Sequence, residues 1–159
     1  MENNKNTHGN PYTKFVLMLA ASFVAMYITM YLNTYEMDHF YFSLTRFYMT
    51  CLGISAMALI MFFFMKKMYK NRKKNTAILL GSMLLFGSAL FLVRAQKPIG
   101  DVLWMKAMIP HHSIAILTSE RADIKDPEVK ELAKGIIETQ RKEIGQMQAM
   151  INRLENNKP

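Results

Sequence analysis

The chain alternates between long apolar segments and short polar ones. Three segments, residues 15–32, 47–65 and 76–93, contain no charged residue and are 18, 19 and 18 residues long. At about 1.5 Å per helical residue, each would span about 27 to 29 Å, close to the thickness of the hydrocarbon core of a bilayer. The pattern therefore predicts three transmembrane helices. No small-residue cleavage site follows the first helix, so it is expected to remain as an anchor.

The pattern becomes amphipathic after residue 94. Apolar or small residues recur at steps of three and four, which predicts a helix with Met105, Met108, Ala115 and Ala122 on its inner face. Asp126 and Pro127 suit the N-cap and first position of a second helix, which we expect to run to about Leu154. Its predicted inner face comprises Val129, Leu132 or Ala133, Ile136, Gln140, Glu143, Met147 and Met150.

These elements predict an all-α membrane protein with two parts. Residues 1–94 form a three-span membrane anchor, and residues 95–159 form an exported helical hairpin. Two helices of this size bury too little apolar surface to be stable alone. We therefore expect the hairpin to pair with a second copy into a four-helix bundle, giving a homodimer or a higher oligomer.

The distribution of charge predicts the orientation. Residues 66–74 hold six of the twenty basic residues and no acidic one, whereas residues 33–43 hold Glu36 and Asp38 and no Lys or Arg. Basic loops stay in the cytoplasm, so the N-terminus is predicted inside and the hairpin outside a plasma (inner) membrane. The tail from residue 94 carries eleven basic and nine acidic residues, so the net charge of +8 does not indicate nucleic-acid binding. The basic loop is expected to lie against anionic lipid headgroups.

Candidate chemistry is concentrated in the segment "MKAMIPHHSIAI", residues 105–116. Met108 lies three residues before His111 and four before His112, so its thioether and either imidazole can converge on one helical face. The two histidines point about 100° apart on a helix. Pro110 is expected to kink the helix and to turn the histidine pair toward one end of the bundle.

The facing helix offers Gln140, Glu143 and Met147 at steps of three and four. Thioether sulfur together with imidazole favours copper, especially Cu(I), over hard cations. The candidate metal ligands are Met108, His111, His112, Gln140, Glu143 and Met147, with Met105, Met150, Met37 and His39 as secondary candidates. For single methionines, ordinary core packing is the simpler interpretation.

The segment "MKAMIPHHSIAI", followed by "DPEVKELAKGIIETQRKEIGQMQAMI", resembles the family catalogued as domain of unknown function 305 over about residues 103–151. The shared pattern is a methionine, a paired histidine, an Ala-Ile step and the D-P-x-V to E-I-x-x-M run of the second helix. The resemblance implies a ferritin-like four-helix arrangement and, for some members, copper binding through Met and His outside the cytoplasm. Leu117 stands where members often have methionine.

Two other classes of function are alternatives to a copper-binding protein. An enzyme is not predicted, because the chain does not carry the pair of Glu-x-x-His motifs used by di-iron bundles, and serines on a plain helix lack an oxyanion hole. The remaining alternative is a membrane-anchored structural or sensory module that mediates oligomerisation without a metal. The sequence leaves open whether copper would be bound as Cu(I) or Cu(II), and whether it would be stored, delivered or sensed.

Overall fold

The computed structural model describes residues 10–156, and this part of the chain consists of helices joined by loops and turns, with no strand. The prediction of an all-α fold is confirmed. The five helices are α1 (Pro11–Thr29), α2 (Leu44–Phe64), α3 (Arg72–Ala95), α4 (Asp101–Arg121) and α5 (Pro127–Asn156). Short 3₁₀ turns at Met37–His39 and Lys66–Met68 lie in the first two connections.

Helices α1, α2 and α3 are each long and apolar enough to cross a membrane. They belong to a compact unit that includes residues 10–27 and 48–95. Its core is small and contains Phe15, Ala58, Phe62 and Tyr69. Many apolar side chains of α1 and α3 are exposed, as expected for helices whose surroundings would be lipid, whereas those of α2 are mostly half-buried or buried.

Aromatic and amide side chains join the start of α1 to the basic loop within this unit. The Tyr12 hydroxyl donates to Asn75 Oδ1 at 2.9 Å and accepts the backbone N–H of Asn71 at 2.9 Å. The Tyr12 and Tyr69 ring centroids lie 5.1 Å apart. Burial, and to a lesser extent the neighbouring Tyr12, raises the pKa of Tyr69, so its phenol stays neutral.

Helix α1 ends earlier than the first apolar segment, residues 15–32, predicts. Helix α1 ends at Thr29, whereas residues 30–32 form a turn. The Arg46 guanidinium donates to the Met30 carbonyl at 2.7 Å, and the Tyr31 hydroxyl donates to the Tyr41 carbonyl at 3.0 Å. These two hydrogen bonds satisfy the backbone carbonyls of Met30 and Tyr41, where the chain turns back. The hydrophobicity of the segment does not indicate such a turn.

Helices α4 and α5 form the predicted hairpin. Asp126 caps α5 as predicted, because its Oδ1 accepts the backbone N–H groups of Glu128 at 2.9 Å and Val129 at 3.0 Å. The hairpin core consists of Met105, Ile109, Ile116, Ile144, Met147 and Ile151. Lys106 and Glu155 form an ion pair that joins the start of α4 to the end of α5.

The inner faces differ in part from the predicted ones. Met105 and Met147 are buried as expected, but isoleucines of α4 and α5 fill the rest of the core, whereas the predicted inner residues Ala122, Val129 and Met150 are exposed. Of the alternatives Leu132 and Ala133, Leu132 is exposed and Ala133 is half-buried. Burying isoleucine removes more apolar surface from water than burying alanine. Helix α4 carries two apolar faces, the predicted one with Met108 and Ala115 and a second with Ile109 and Ile116. The second face packs against α5.

Residues 28–47 belong to the same compact unit as the hairpin. Tyr35 and Tyr41 pack against the hairpin core, and the 3₁₀ turn Met37–His39 lies against α4. The sequence placed this loop with the membrane anchor instead. Contacts between positions more than 70 residues apart, such as that between Tyr35 and Ser113, bring the loop to the hairpin.

Candidate metal centre

The paired histidines lie in the middle of α4, which continues through Pro110. Pro110 is buried and the helix is not interrupted there, so the histidines remain on the body of the hairpin. His111 is exposed and His112 is half-buried. Their ring centroids lie 6.3 Å apart with the planes at 64°, as expected for adjacent residues that point to different sides of a helix.

His112 connects α4 to α5. Its Nδ1 lies 3.0 Å from the carbonyl oxygen of Met108, and its Nε2 lies 2.8 Å from Oε2 of Glu143. A carbonyl and a carboxylate both accept hydrogen bonds, so each ring nitrogen of His112 has an acceptor within hydrogen-bond distance. The contact between His112 and Glu143 brings together two of the predicted ligands from different helices.

The predicted methionines occupy different environments. Met105 and Met147 lie in the hairpin core, and Met108 packs against that core from the edge. Met150 is 44% exposed and lines a groove with Met105, Trp104 and other residues at the start of α4 and the end of α5. The structure therefore joins His112 directly to Glu143, while Met108 and Met147 each lie one helical turn along α4 and α5 from these two residues.

Gln140 has different surroundings from His112 and Glu143. It is half-buried and lines a shallow groove on the first half of α5, together with Leu132, Ile136 and Thr139. The exposed His111 likewise lies outside the hairpin core. These two residues are the members of the predicted ligand set whose positions give the least support to a shared site.

The secondary candidate His39 lies in a second cluster, on the loop. His39 is 5% exposed, and its Nδ1 is 3.0 Å from the hydroxyl oxygen of Ser113, which also accepts the Tyr35 backbone N–H at 2.7 Å. Its Nε2 faces Glu36 Oε2 at 3.9 Å and Asp38 Oδ1 at 3.7 Å. Met37, the other secondary candidate in the loop, is 84% exposed.

Arg141 extends the loop cluster to α5. Its Nη1 lies 3.5 Å from Glu36 Oε1, its Nη2 donates to the Tyr35 hydroxyl at 3.3 Å, and its guanidinium carbon lies 5.2 Å from the centre of the Tyr35 ring. Sequence analysis missed Ser113, Tyr35 and Arg141. A small buried serine next to a histidine pair gives no periodic signal of its own, and the partners of Ser113 lie far away in the sequence.

The donor atoms near His112 suit a transition metal. A bound metal would replace the Nε2 proton, with Nδ1 still held by the Met108 carbonyl, the arrangement that orients most metal-ligating histidines. Glu143 and the neighbouring thioethers of Met108 and Met147 would complete a mixed set of nitrogen, oxygen and sulfur donors. Imidazole, carboxylate and thioether are all donor types that transition metals accept.

Fold and site together define an all-helical protein with three apolar helices and a helical hairpin that joins a histidine to a carboxylate across its two helices. The chain belongs to the family described as domain of unknown function (DUF305), whose model matches residues 80–153, from within α3 to near the end of α5. The resemblance noted from the sequence is thus confirmed.

The chain is similar to an uncharacterized protein of Acanthamoeba polyphaga mimivirus, with 33% identity over 140 residues. The aligned region covers 86% of this chain and 90% of the viral protein. No solved structure matches the chain significantly.

Proposed function

We propose that this protein is a membrane-anchored, extracytoplasmic copper-binding protein that serves copper homeostasis through Met and His side chains of its hairpin. The observation that carries the proposal is the position of His112, which faces Glu143 across the hairpin with Nδ1 held by a backbone carbonyl. The copper ligands in this proposal are His112, Met108, Met147 and Glu143, with His111 as a ligand that approaches from the exposed side.

The position of the first loop supports the proposed orientation. Residues 33–43 pack with α4 and α5 in one unit, so loop and hairpin must share one face of any membrane that the chain crosses. Three crossings satisfy this condition, because the first loop and the segment after α3 then emerge on the same side. The six basic residues in residues 66–74 support placing that side outside the cytoplasm.

Exposed apolar residues support self-association. Val129 and Leu132 on the first half of α5 are 46% and 64% exposed. A second copy packed on this surface would make the four-helix bundle and remove both side chains from water. Leu132→Asn should then shift the purified full chain toward the monomer in sedimentation of its detergent complex, and an unchanged state would contradict this surface as the interface.

Copper titration of the full chain in detergent micelles tests the central proposal. Cu(I) is measured under reducing conditions against a chromophoric chelator, and Cu(II) in a separate titration. His111→Ala combined with His112→Ala should abolish most of the binding while circular dichroism shows nearly unchanged helix content. Gln146→Ala, an exposed change on α5, is the control and should bind as the wild type does. Wild-type protein that takes up copper in neither titration contradicts the proposal.

Protease protection tests the orientation. Protease added to right-side-out spheroplasts should remove the region after Arg94 and spare residues 66–74, because the former is proposed outside and the latter inside. Cleavage within residues 66–74 under these conditions would reverse the orientation.

A structural or sensory oligomerisation module is the second candidate, and one observation favours it. Both ring nitrogens of His112 already have hydrogen-bond acceptors, so the pair with Glu143 is complete without a metal. In that case the double histidine variant would change stability or oligomeric state, and the wild type would take up no copper.

A further inference from the structure

We propose that Glu36, Asp38 and His39 bind a divalent transition-metal ion of the zinc class, at a site separate from the proposed copper ligands. This site lies on the loop before α2, outside the matched family region of residues 80–153. It does not depend on the proposed function, because its ligands and its metal are different.

The local backbone brings the three side chains together. Residues Met37–His39 form a 3₁₀ turn that begins after Glu36. With three residues per turn, side chains at positions i and i+3 lie above one another, so Glu36 and His39 share one side. One oxygen or nitrogen atom from each of Glu36, Asp38 and His39 lies within 4.8 Å of the other two.

The buried imidazole of His39 is directed into this group. Its Nε2 lies 3.7 and 3.9 Å from carboxylate oxygens of Asp38 and Glu36, and both distances exceed the length of a hydrogen bond. Tetrahedral ligands about 2.0 to 2.2 Å from zinc are roughly 3.3 to 3.6 Å from one another. The two spacings from His39 Nε2 are therefore a few tenths of an ångström too open for zinc and too long for direct hydrogen bonds.

The proposed ligands have further contacts of the kind that orient ligands in metal sites. The Ser113 hydroxyl, which is fully buried, contacts Nδ1 of His39 and leaves Nε2 to the carboxylates. Arg141 lies beside Oε1 of Glu36, whereas Oε2 faces His39. Metal-ligating histidines and carboxylates usually have such partners on their second atoms.

The donor set selects the metal. One imidazole and two carboxylates suit Zn²⁺, with Mn²⁺ weaker, and offer Cu(I) no sulfur. The side chains of Glu36 and Asp38 are 44% and 64% exposed, so an ion can enter from solvent and keep a water as its fourth ligand. The neighbouring Met37 is the internal control, because the proposal gives its thioether no part in binding.

Zinc at this site would also fasten the loop to the hairpin. His39 would be tied to Glu36 and Asp38 through the ion while its Nδ1 stays on Ser113 of α4. The ion should therefore slow hydrogen exchange of backbone amides in residues 33–43, a readout that does not depend on any activity of the protein.

The test uses full-length protein in detergent micelles with His111 and His112 replaced by Ala, so that zinc cannot bind the α4 pair. Titration with ZnCl₂ by calorimetry should show a site that His39→Gln removes. Glu36→Gln and Asp38→Asn should each weaken it at least about tenfold, and Ser113→Ala by about tenfold through lost orientation. Met37→Leu should leave zinc affinity unchanged, and Cu(I) should not compete.

Two outcomes would overturn the proposal. The first is that the His39→Gln or the Glu36→Gln protein binds zinc as tightly as the parent protein does. The other is a Met37→Leu protein that loses as much affinity as Glu36→Gln does. Glu36→Gln keeps the size of the side chain, and its helix content is checked by circular dichroism, so misfolding of the His39 variant cannot decide the result. Copper uptake by wild-type protein is scored separately, so either proposal can fail alone.

Discussion

Two histidines of the hairpin unit, His112 on α4 and His39 on the first loop, each face carboxylates in different ways. His112 is half-buried and has a hydrogen-bond acceptor 2.8 to 3.0 Å from each ring nitrogen. His39 is buried, contacts a serine hydroxyl through Nδ1, and faces two carboxylates beyond hydrogen-bond length through Nε2. A metal at His112 must displace a proton from a completed pair, whereas a cation at His39 would fill a gap.

The contrast shows that a histidine beside a carboxylate does not by itself indicate how a site is used. Distance separates the two cases, because a direct hydrogen bond closes the pair and a longer spacing leaves room for an ion. The anchoring of the second ring nitrogen separates them further. In His112 the anchor is the carbonyl of its own helix, whereas in His39 it is a side chain 74 residues away.

The largest expected effect comes from removing that distant anchor. Ser113→Ala leaves the Tyr35 backbone N–H without its acceptor and His39 Nδ1 without its partner, at a cost of about 2 kcal/mol. Hydrogen exchange of the Tyr35 amide should then accelerate by about 30-fold. Ser119→Ala, a half-buried change on the same helix, is the control and should leave this amide unaffected. Equal rates in the two variants would show that the loop is held by other contacts.

A smaller effect is expected when sulfur alone is removed beside His112. Met147→Leu keeps the volume of a core side chain, so stability should fall by less than about 1.5 kcal/mol. Cu(I) affinity should fall about tenfold, because carbon replaces the soft donor, and Cu(II) affinity should change less. Met68→Leu in the basic loop is the matched control. Loss of Cu(I) and Cu(II) affinity in equal measure would place Met147 outside the metal site.

The smallest expected effect comes from neutralising the carboxylate of the completed pair. Glu143→Gln preserves shape but weakens the bond to His112, and because the Glu143 side chain is 44% exposed the cost should be only about 0.5 to 1 kcal/mol. Thermal unfolding of the full chain measures the change, with exposed Glu138→Gln on the same helix as control. If the Glu143 variant is as stable as the control, the pair of His112 and Glu143 contributes nothing measurable to stability.

Local patterns predicted most of the fold. Uncharged segments indicated three apolar helices, and Asp126 with Pro127 marked the start of α5. Helical spacing placed His112 and Glu143 on facing helices, which the structure bears out as a 2.8 Å contact. These features depend on neighbours within a few residues, so a single sequence carries them.

Features that depend on distant partners were not predictable in this way. The turn after α1 is bonded by Arg46 through the Met30 carbonyl, and the buried Ser113 is bonded to Tyr35 and His39. The choice between the two apolar faces of α4 depends on which one buries more apolar surface against α5. The loop cluster was visible as Glu36, Asp38 and His39 in sequence, but its packing on the hairpin was not.

The bond between Tyr35 and Ser113 also imposes an order on biosynthesis. Tyr35 leaves the ribosome 78 residues before Ser113. At about 5 to 20 residues per second, the first loop waits for roughly 4 to 16 s before its partner exists. During that interval both α2 and α3 are made. The contact between Tyr35 and Ser113 therefore closes only after α2, α3 and the first half of α4 have been made.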